Sequence, residues 1–164
     1  MNEENTTIVI FGGTGDLAQR KLVPALFQLK SKMRLPETTR IVGFSRRPNS
    51  DDQYRDLMRN GVQEFSDLDV RKDDWASFAK NLHYVSGDLN IQEDLLRLKK
   101  RLEELDGGRK PANRLFFLSI SPAFYEAAVK NLLRPSDSKF TVGNSRRTMS
   151  TLSSIDPLSM TIIS

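Results

Sequence analysis

The sequence predicts an α/β fold, a doubly wound parallel sheet, and three observations carry that prediction. Short apolar runs alternate with amphipathic segments through residues 6–133, as strands joined by crossover helices do. The first run, residues 8–11, breaks into Gly12-Gly13-Thr14-Gly15, and a helical pattern begins at Leu17. The last run, residues 115–120, is apolar nearly throughout, as expected of a strand buried on both faces.

The elements follow in order. Residues 17–32 form the first helical pattern, with Leu22, Ala25, Leu26 and Leu29 at helical spacing. Pro36 closes the loop behind it, and residues 40–45 make a second strand. Residues 51–81 are charged and mostly helical, with Tyr54, Leu57 and Met58 and then Trp75, Phe78 and Ala79 as the apolar positions. Residues 82–85 make a third strand. Residues 92–105 form an amphipathic helix with Leu95, Leu98, Leu102 and Leu105 on one stripe, ended by Gly107-Gly108. After the fourth strand, Ser121-Pro122 breaks the pattern and residues 123–132 resume a helix.

The glycine turn carries the chemistry. Gly12, Gly15 and Ala18 give a relaxed spacing of the dinucleotide fingerprint. Glycines let a pyrophosphate approach the backbone, and the following helix N-terminus offers N–H groups and a partial positive charge. The competing reading is a turn that only joins strand to helix. Its place after the first strand of an alternating chain favours the nucleotide reading and a Rossmann-like sheet. At the end of the second strand, where an acidic residue would hold a ribose 2′-hydroxyl, stand Arg46 and Arg47. Guanidinium groups bind a 2′-phosphate with paired, charge-assisted bonds, which predicts NADP over NAD. Two arginines before Pro48 could also be ordinary loop surface.

The bulk numbers narrow the class. The 164 residues suit one domain. The 25 basic and 21 acidic residues are mixed along the chain, with no basic stripe interleaved with aromatics, so no nucleic-acid partner is expected. Cysteine is absent, which removes thiol catalysis, disulfides and cysteine-ligated zinc. No signal peptide follows the polar N-terminus, and no apolar run reaches the length of a membrane span. The expectation is a soluble cytoplasmic protein with no membrane partner.

Four blocks carry a family resemblance: Gly12-Gly-Thr-Gly-Asp-Leu-Ala-Gln-Arg-Lys-Leu-Val-Pro-Ala-Leu26, Ile41-Val-Gly-Phe-Ser-Arg46, Gly87-Asp88-Leu89, and the run from Asn113 through Leu-Phe-Phe-Leu and Ser-Pro-Ala-Phe-Tyr to Asn131. In order and spacing they resemble the N-terminal coenzyme domain of glucose-6-phosphate dehydrogenase. The resemblance implies roles by position. Gly12, Gly13, Thr14, Gly15, Asp16, Leu17, Ala18 and Gln19 would line the pyrophosphate. Arg46, helped by Arg47, would meet the 2′-phosphate. Asp88 and Leu89 would lie beside the adenosine, and Ser121, Pro122 and Tyr125 would flank the nicotinamide. Lys21 matches a family lysine near the sugar phosphate, and a solvated charge is its other reading. The implied activity is oxidation of glucose 6-phosphate with hydride passing to NADP.

The chain departs from the family after the fourth strand. The family's base histidine, in an Arg-Ile-Asp-His-Tyr-Leu-Gly-Lys-Glu segment, is absent, as is the Glu-Lys-Pro-Phe-Gly segment. The one histidine, His83, sits in the third strand and reads as structural, so no catalytic residue is assigned. The chain alone is therefore expected to be inactive, and homo-oligomerisation is expected only with the missing C-terminal domain. No metal is implied. The alternatives are a stand-alone NADP-binding module, or another extended Rossmann sugar reductase or epimerase. The last would want a Tyr-x-x-x-Lys pair, but Tyr125 has Val129 four residues on and Lys130 five on.

From Pro135 the composition changes, and nine of the last twenty residues are Ser or Thr. Such a segment has little to bury and is expected to stay disordered. The domain reading is a Rossmann domain over residues 6–133, incomplete as a sheet, and a tail without a domain over 134–164. The loss of pattern is hypothesised to mark a truncated or frameshifted reading of a longer gene. The downstream coding DNA tests this: other frames past codon 133 that encode no lysine and histidine motifs would refute it.

Overall fold

The computed structural model describes residues 5–108, 112–126, 130, 141–143 and 159–163. Strands β1 (Thr6–Phe11), β2 (Arg40–Ser45), β3 (Leu82–Ser86) and β4 (Asn113–Leu118) alternate with helices α1 (Val23–Ser31), α2 (Asp51–Phe65), α3 (Lys72–Ala79) and α4 (Gln92–Asp106). All strand pairs are parallel, in the order β3-β2-β1-β4. Two further strands, β5 (Thr141–Gly143) and β6 (Ser159–Ile163), continue the sheet beyond β4 in the order β4-β6-β5. They fall within the stretch expected as a disordered tail, and its other residues lie outside the described ones.

Alternation along each strand divides the core between the two faces. Ile8, Ile10 and Ile41 pack with Phe27 of α1, Tyr54, Met58 and Val62 of α2, and Trp75 and Phe78 of α3. Val9, Phe11, Val42, Phe44, Phe116 and Leu118 pack on the other face with Leu98 and Leu102 of α4. A central sheet buried on both sides explains why β1 is apolar at consecutive positions rather than at every second one. At the α2 N-terminus, Ser50 and Gln53 form a reciprocal capping box. Gly107 ends α4 in the left-handed conformation at φ 62°.

The first helical segment differs from its expectation. Residues Ala18–Leu22 form a π-helical turn before α1 starts at Val23. Pro24 has no N–H to return to the carbonyl of Arg20, and the Val23 N–H reaches back five residues to the Ala18 carbonyl. The extra residue rotates the buried stripe. Val23, Pro24 and Phe27 are buried, Leu22 and Leu26 are only partly covered, and Ala25 and Leu29 are exposed. Of the expected stripe, Leu22 and Leu26 thus pack against the core, whereas Ala25 and Leu29 do not. After β4, a 3₁₀ turn spans Pro122–Phe124. Most of the helix expected over 123–132 lies outside the described residues. Among the described residues no helix is long and apolar enough to cross a membrane.

Candidate dinucleotide site

The chain leaves β1 by crossing over the end of β2. Gly12 N–H and Gly13 N–H both donate to the Phe44 carbonyl, at 2.9 and 3.1 Å, and Gly15 N–H donates to the Gly12 carbonyl at 2.8 Å. Gly12 has φ +77°, and a Cβ there would lie 2.0 Å from the Ser119 carbonyl oxygen. Gly13 rests on β2 so closely that a Cβ would meet the Gly43 Cα at 2.7 Å. The turn is therefore packed between the ends of β2 and β4. Gln19 tightens it by donating from Nε2 to the Thr14 carbonyl at 2.8 Å.

A cavity of about 330 Å³ opens above this turn, at the carboxyl ends of the strands, where parallel sheets bind ligands. Gly12, Thr14 and Gly15 line it, Phe44, Ser45, Arg46 and Arg47 form a second wall, and Gly87, Asp88, Leu89 and Asn90 form a third. Ile120, Ser121 and Phe124 complete it after β4. Both arginines are exposed, and among the described residues neither has a carboxylate partner. Positive charge beside a glycine turn suits a phosphate-bearing ligand.

Hydroxyl groups tie the walls together. Thr14 Oγ1 lies 2.8 Å from Ser45 Oγ, which lies 2.8 Å from Tyr84 Oη. Tyr84 Oη in turn donates to the Arg47 carbonyl at 2.5 Å. On the third wall, the Asp88 carboxylate accepts from the Asn90 backbone N–H and side-chain amide, at 2.9 and 2.8 Å. The Asp88 N–H is held by Asp94 at 2.7 Å, so α4 positions this loop.

Of the residues singled out in the sequence, the cavity gathers Gly12, Thr14, Gly15, Arg46, Arg47, Asp88, Leu89 and Ser121. Gly13 underlies it, and Ala18 is buried in the core. Asp16 is exposed with Arg20 at 3.5 Å, Leu17 is half-exposed, and Lys21 is exposed on the π-helical turn. Tyr125 packs beneath, its hydroxyl donating to the Leu118 carbonyl at 3.5 Å. Pro122 is described by its backbone alone, at the start of the 3₁₀ turn. Phe44 and Ser45 were not singled out, although their place beside Arg46 at a strand end could have found them. Asn90, Ile120 and Phe124 carried no comparable signal.

His83 is half-buried and does not line the cavity. Its Nδ1 lies 3.4 Å from Asp51 Oδ2. Burial lowers its pKa, with Asp51 opposing that effect. Among the described residues no group of three or more His, Cys, Asp or Glu side chains could hold a metal ion.

Known proteins resemble this chain over most of its length. Residues 9–149 match the family described as glucose-6-phosphate dehydrogenase, NAD binding domain. A glucose-6-phosphate 1-dehydrogenase of Chlamydia muridarum is 41% identical over 132 residues, covering 77% of this chain and 25% of the relative. A solved glucose-6-phosphate dehydrogenase in complex with its substrate glucose 6-phosphate superposes with a TM-score of 0.69 at 32% identity, over 79% of this chain and 27% of that one. The enzyme from Mycobacterium avium gives 0.67 at 25% identity, over 78% of this chain and 26% of that one. The chain thus spans about a quarter of the length of the relatives it matches. The chain belongs to the glucose-6-phosphate dehydrogenase family, whose coenzyme-binding domain it carries.

Proposed function

We propose that this chain is the NADP-holding part of an enzyme that oxidises glucose 6-phosphate at C1 to 6-phosphogluconolactone, the oxidative entry to the pentose phosphate pathway. One observation supports the reading most: a glycine turn and two arginines that have no carboxylate partner among the described residues line the same cavity. Gly12, Thr14 and Gly15, with the helix start behind them, would receive the pyrophosphate. Arg46 and Arg47 would receive the 2′-phosphate through charge-assisted bonds. Gly87, Asp88, Leu89 and Phe44 would surround the adenosine, and Ser121 with the Pro122–Phe124 turn would border the nicotinamide. When bound, NADP supplies the hydride acceptor. This chain's own residues bind and orient that acceptor.

The step also needs a base to take the C1 hydroxyl proton. The single histidine is held by Asp51 and lies outside the cavity lining. That favours, as a second reading, a binding module that holds NADP without turnover when this chain acts alone. Residues 6–133 would form the body of the coenzyme domain, and 134–164 would add no domain of their own, β5 and β6 only extending its sheet. Kinship with enzymes of sugar metabolism makes the cytoplasm the expected compartment.

Calorimetric titration with NADP and NAD tests the cofactor reading. Arg46→Glu should weaken NADP far more than NAD, and equal losses would overturn the assignment. Incubating the chain with glucose 6-phosphate and NADP should produce no NADPH. Measurable turnover would show that another group of the chain acts as the base.

A further inference from the structure

We propose that Tyr84 is a positioning residue for cofactor choice, acting through the backbone that carries Arg46 and Arg47. The inference rests on the reading that those arginines meet a 2′-phosphate. Long side chains can form a paired phosphate clamp only if their backbone is held in place. Among the described residues the segment after β2 has few such holds. The Ser45 carbonyl accepts from Gly87 N–H at 2.9 Å, and beyond it the Arg47 carbonyl accepts from Tyr84 Oη at 2.5 Å. The same hydroxyl lies 3.1 Å from the Ser45 carbonyl. It therefore sits inside the turn and bridges its two sides.

Tyr84 is itself fixed at both ends. It is 6% exposed, and its ring packs against Tyr54 with centroids 5.0 Å apart. Its backbone N–H donates to Asp51 Oδ1 at 2.7 Å, and Asp51 is braced by Arg101 at 3.0 Å. A phenol has one proton to give. With that proton on the Arg47 carbonyl, Tyr84 Oη accepts from Ser45, and Ser45 accepts from Thr14. The network thus runs in one direction, from the glycine turn to the arginine segment. It links the pyrophosphate wall to the 2′-phosphate wall.

Tyr84→Phe keeps the ring stack and removes only the hydroxyl. The full chain is titrated calorimetrically with NADP and with NAD, for wild type, Tyr84→Phe, Arg46→Ala and the double variant. Tyr84→Phe should raise the NADP dissociation constant roughly threefold to tenfold and leave that for NAD within about twofold. NAD affinity serves as the folding control. The effect of Tyr84→Phe on NADP should shrink in the Arg46→Ala background, since the hydroxyl acts through the clamp. Equal weakening of both cofactors, or an unchanged NADP affinity while Arg46→Ala loses it, would overturn the role of Tyr84. If Arg46→Ala itself leaves NADP binding intact, the 2′-phosphate reading falls, and this inference falls with it.

Discussion

Replacing Gly12 by Ala should damage this protein more than replacing any glycine that merely ends a helix. Two costs combine at Gly12. Its φ of +77° places an L-residue in left-handed backbone, which costs about 1–2 kcal/mol. The new Cβ would also lie 2.0 Å from the Ser119 carbonyl oxygen, where a carbon contact needs roughly 3.5 Å. The obstacle is backbone, so β4 or the turn must shift by about 1.5 Å to restore contact distance. Such overpacking adds about 1–3 kcal/mol, for a total of roughly 2–5 kcal/mol. Gly107 provides the control. It too is left-handed, at φ 62°, yet a Cβ there meets nothing within 4 Å. Gly107→Ala should therefore show the conformational cost alone, about 1–2 kcal/mol. Urea unfolding of the two variants beside wild type separates the terms. Equal destabilisation of both would refute the argument that the turn is wedged against β4. The shift should also disturb the bonds from Gly12 and Gly13 to Phe44, so Gly12→Ala should lose NADP affinity while Gly107→Ala retains it.

Three more outcomes follow from the packing. Tyr54 is fully buried and its hydroxyl has no partner among the described residues; Tyr54→Phe should be neutral or stabilising, and a drop of more than about 1 kcal/mol in thermal unfolding would refute this. Asp106 and Arg114 are 2.8 Å apart with side chains only 7% and 14% exposed. Asp106→Ala should cost about 3–5 kcal/mol because the guanidinium stays buried without its partner, and a change within experimental error in denaturant midpoint would contradict this. His83 has a folded-state pKa below the ordinary 6.5 because of burial, so the unfolded chain binds the proton more readily. Its contribution to stability is whole above pH 6.5 and is lost as pH falls through the folded-state pKa. Unfolding curves across that range should slope for wild type and flatten for His83→Gln, and identical slopes would remove His83 as the cause.

The sequence was most readable where local pattern and tertiary role coincide. Four parallel strands were legible because each is a short apolar run between helical segments. The α4 stripe of Leu98 and Leu102 was legible because one face meets the sheet and the other meets water. Gly12 and Arg46 were legible because their positions relative to strand ends carry chemical meaning. The stripe of the first helix was half legible: Leu22 and Leu26 pack against the core, but the most buried positions are Val23, Pro24 and Phe27, one of them a proline that a search for leucine spacing passes over. Tyr84 went unnoticed because its hydroxyl reaches a carbonyl 37 residues away in sequence. Such a contact exists only after β3 pairs with β2.

The π-helical turn also bears on how this segment can vary. It acts as one inserted residue, and each residue turns a helix by about 100°. The helix therefore runs in two phases, one set by the glycine turn and the other by the core around Phe27. Shortening the chain by one residue between Ala18 and Leu22 would merge those phases. Either Phe27 would leave its pocket, or the start of the helix would turn relative to the glycine turn that lines the cavity. The insertion uncouples the ligand-facing end from the core-facing end, so each can be tuned by substitution without a change in the other.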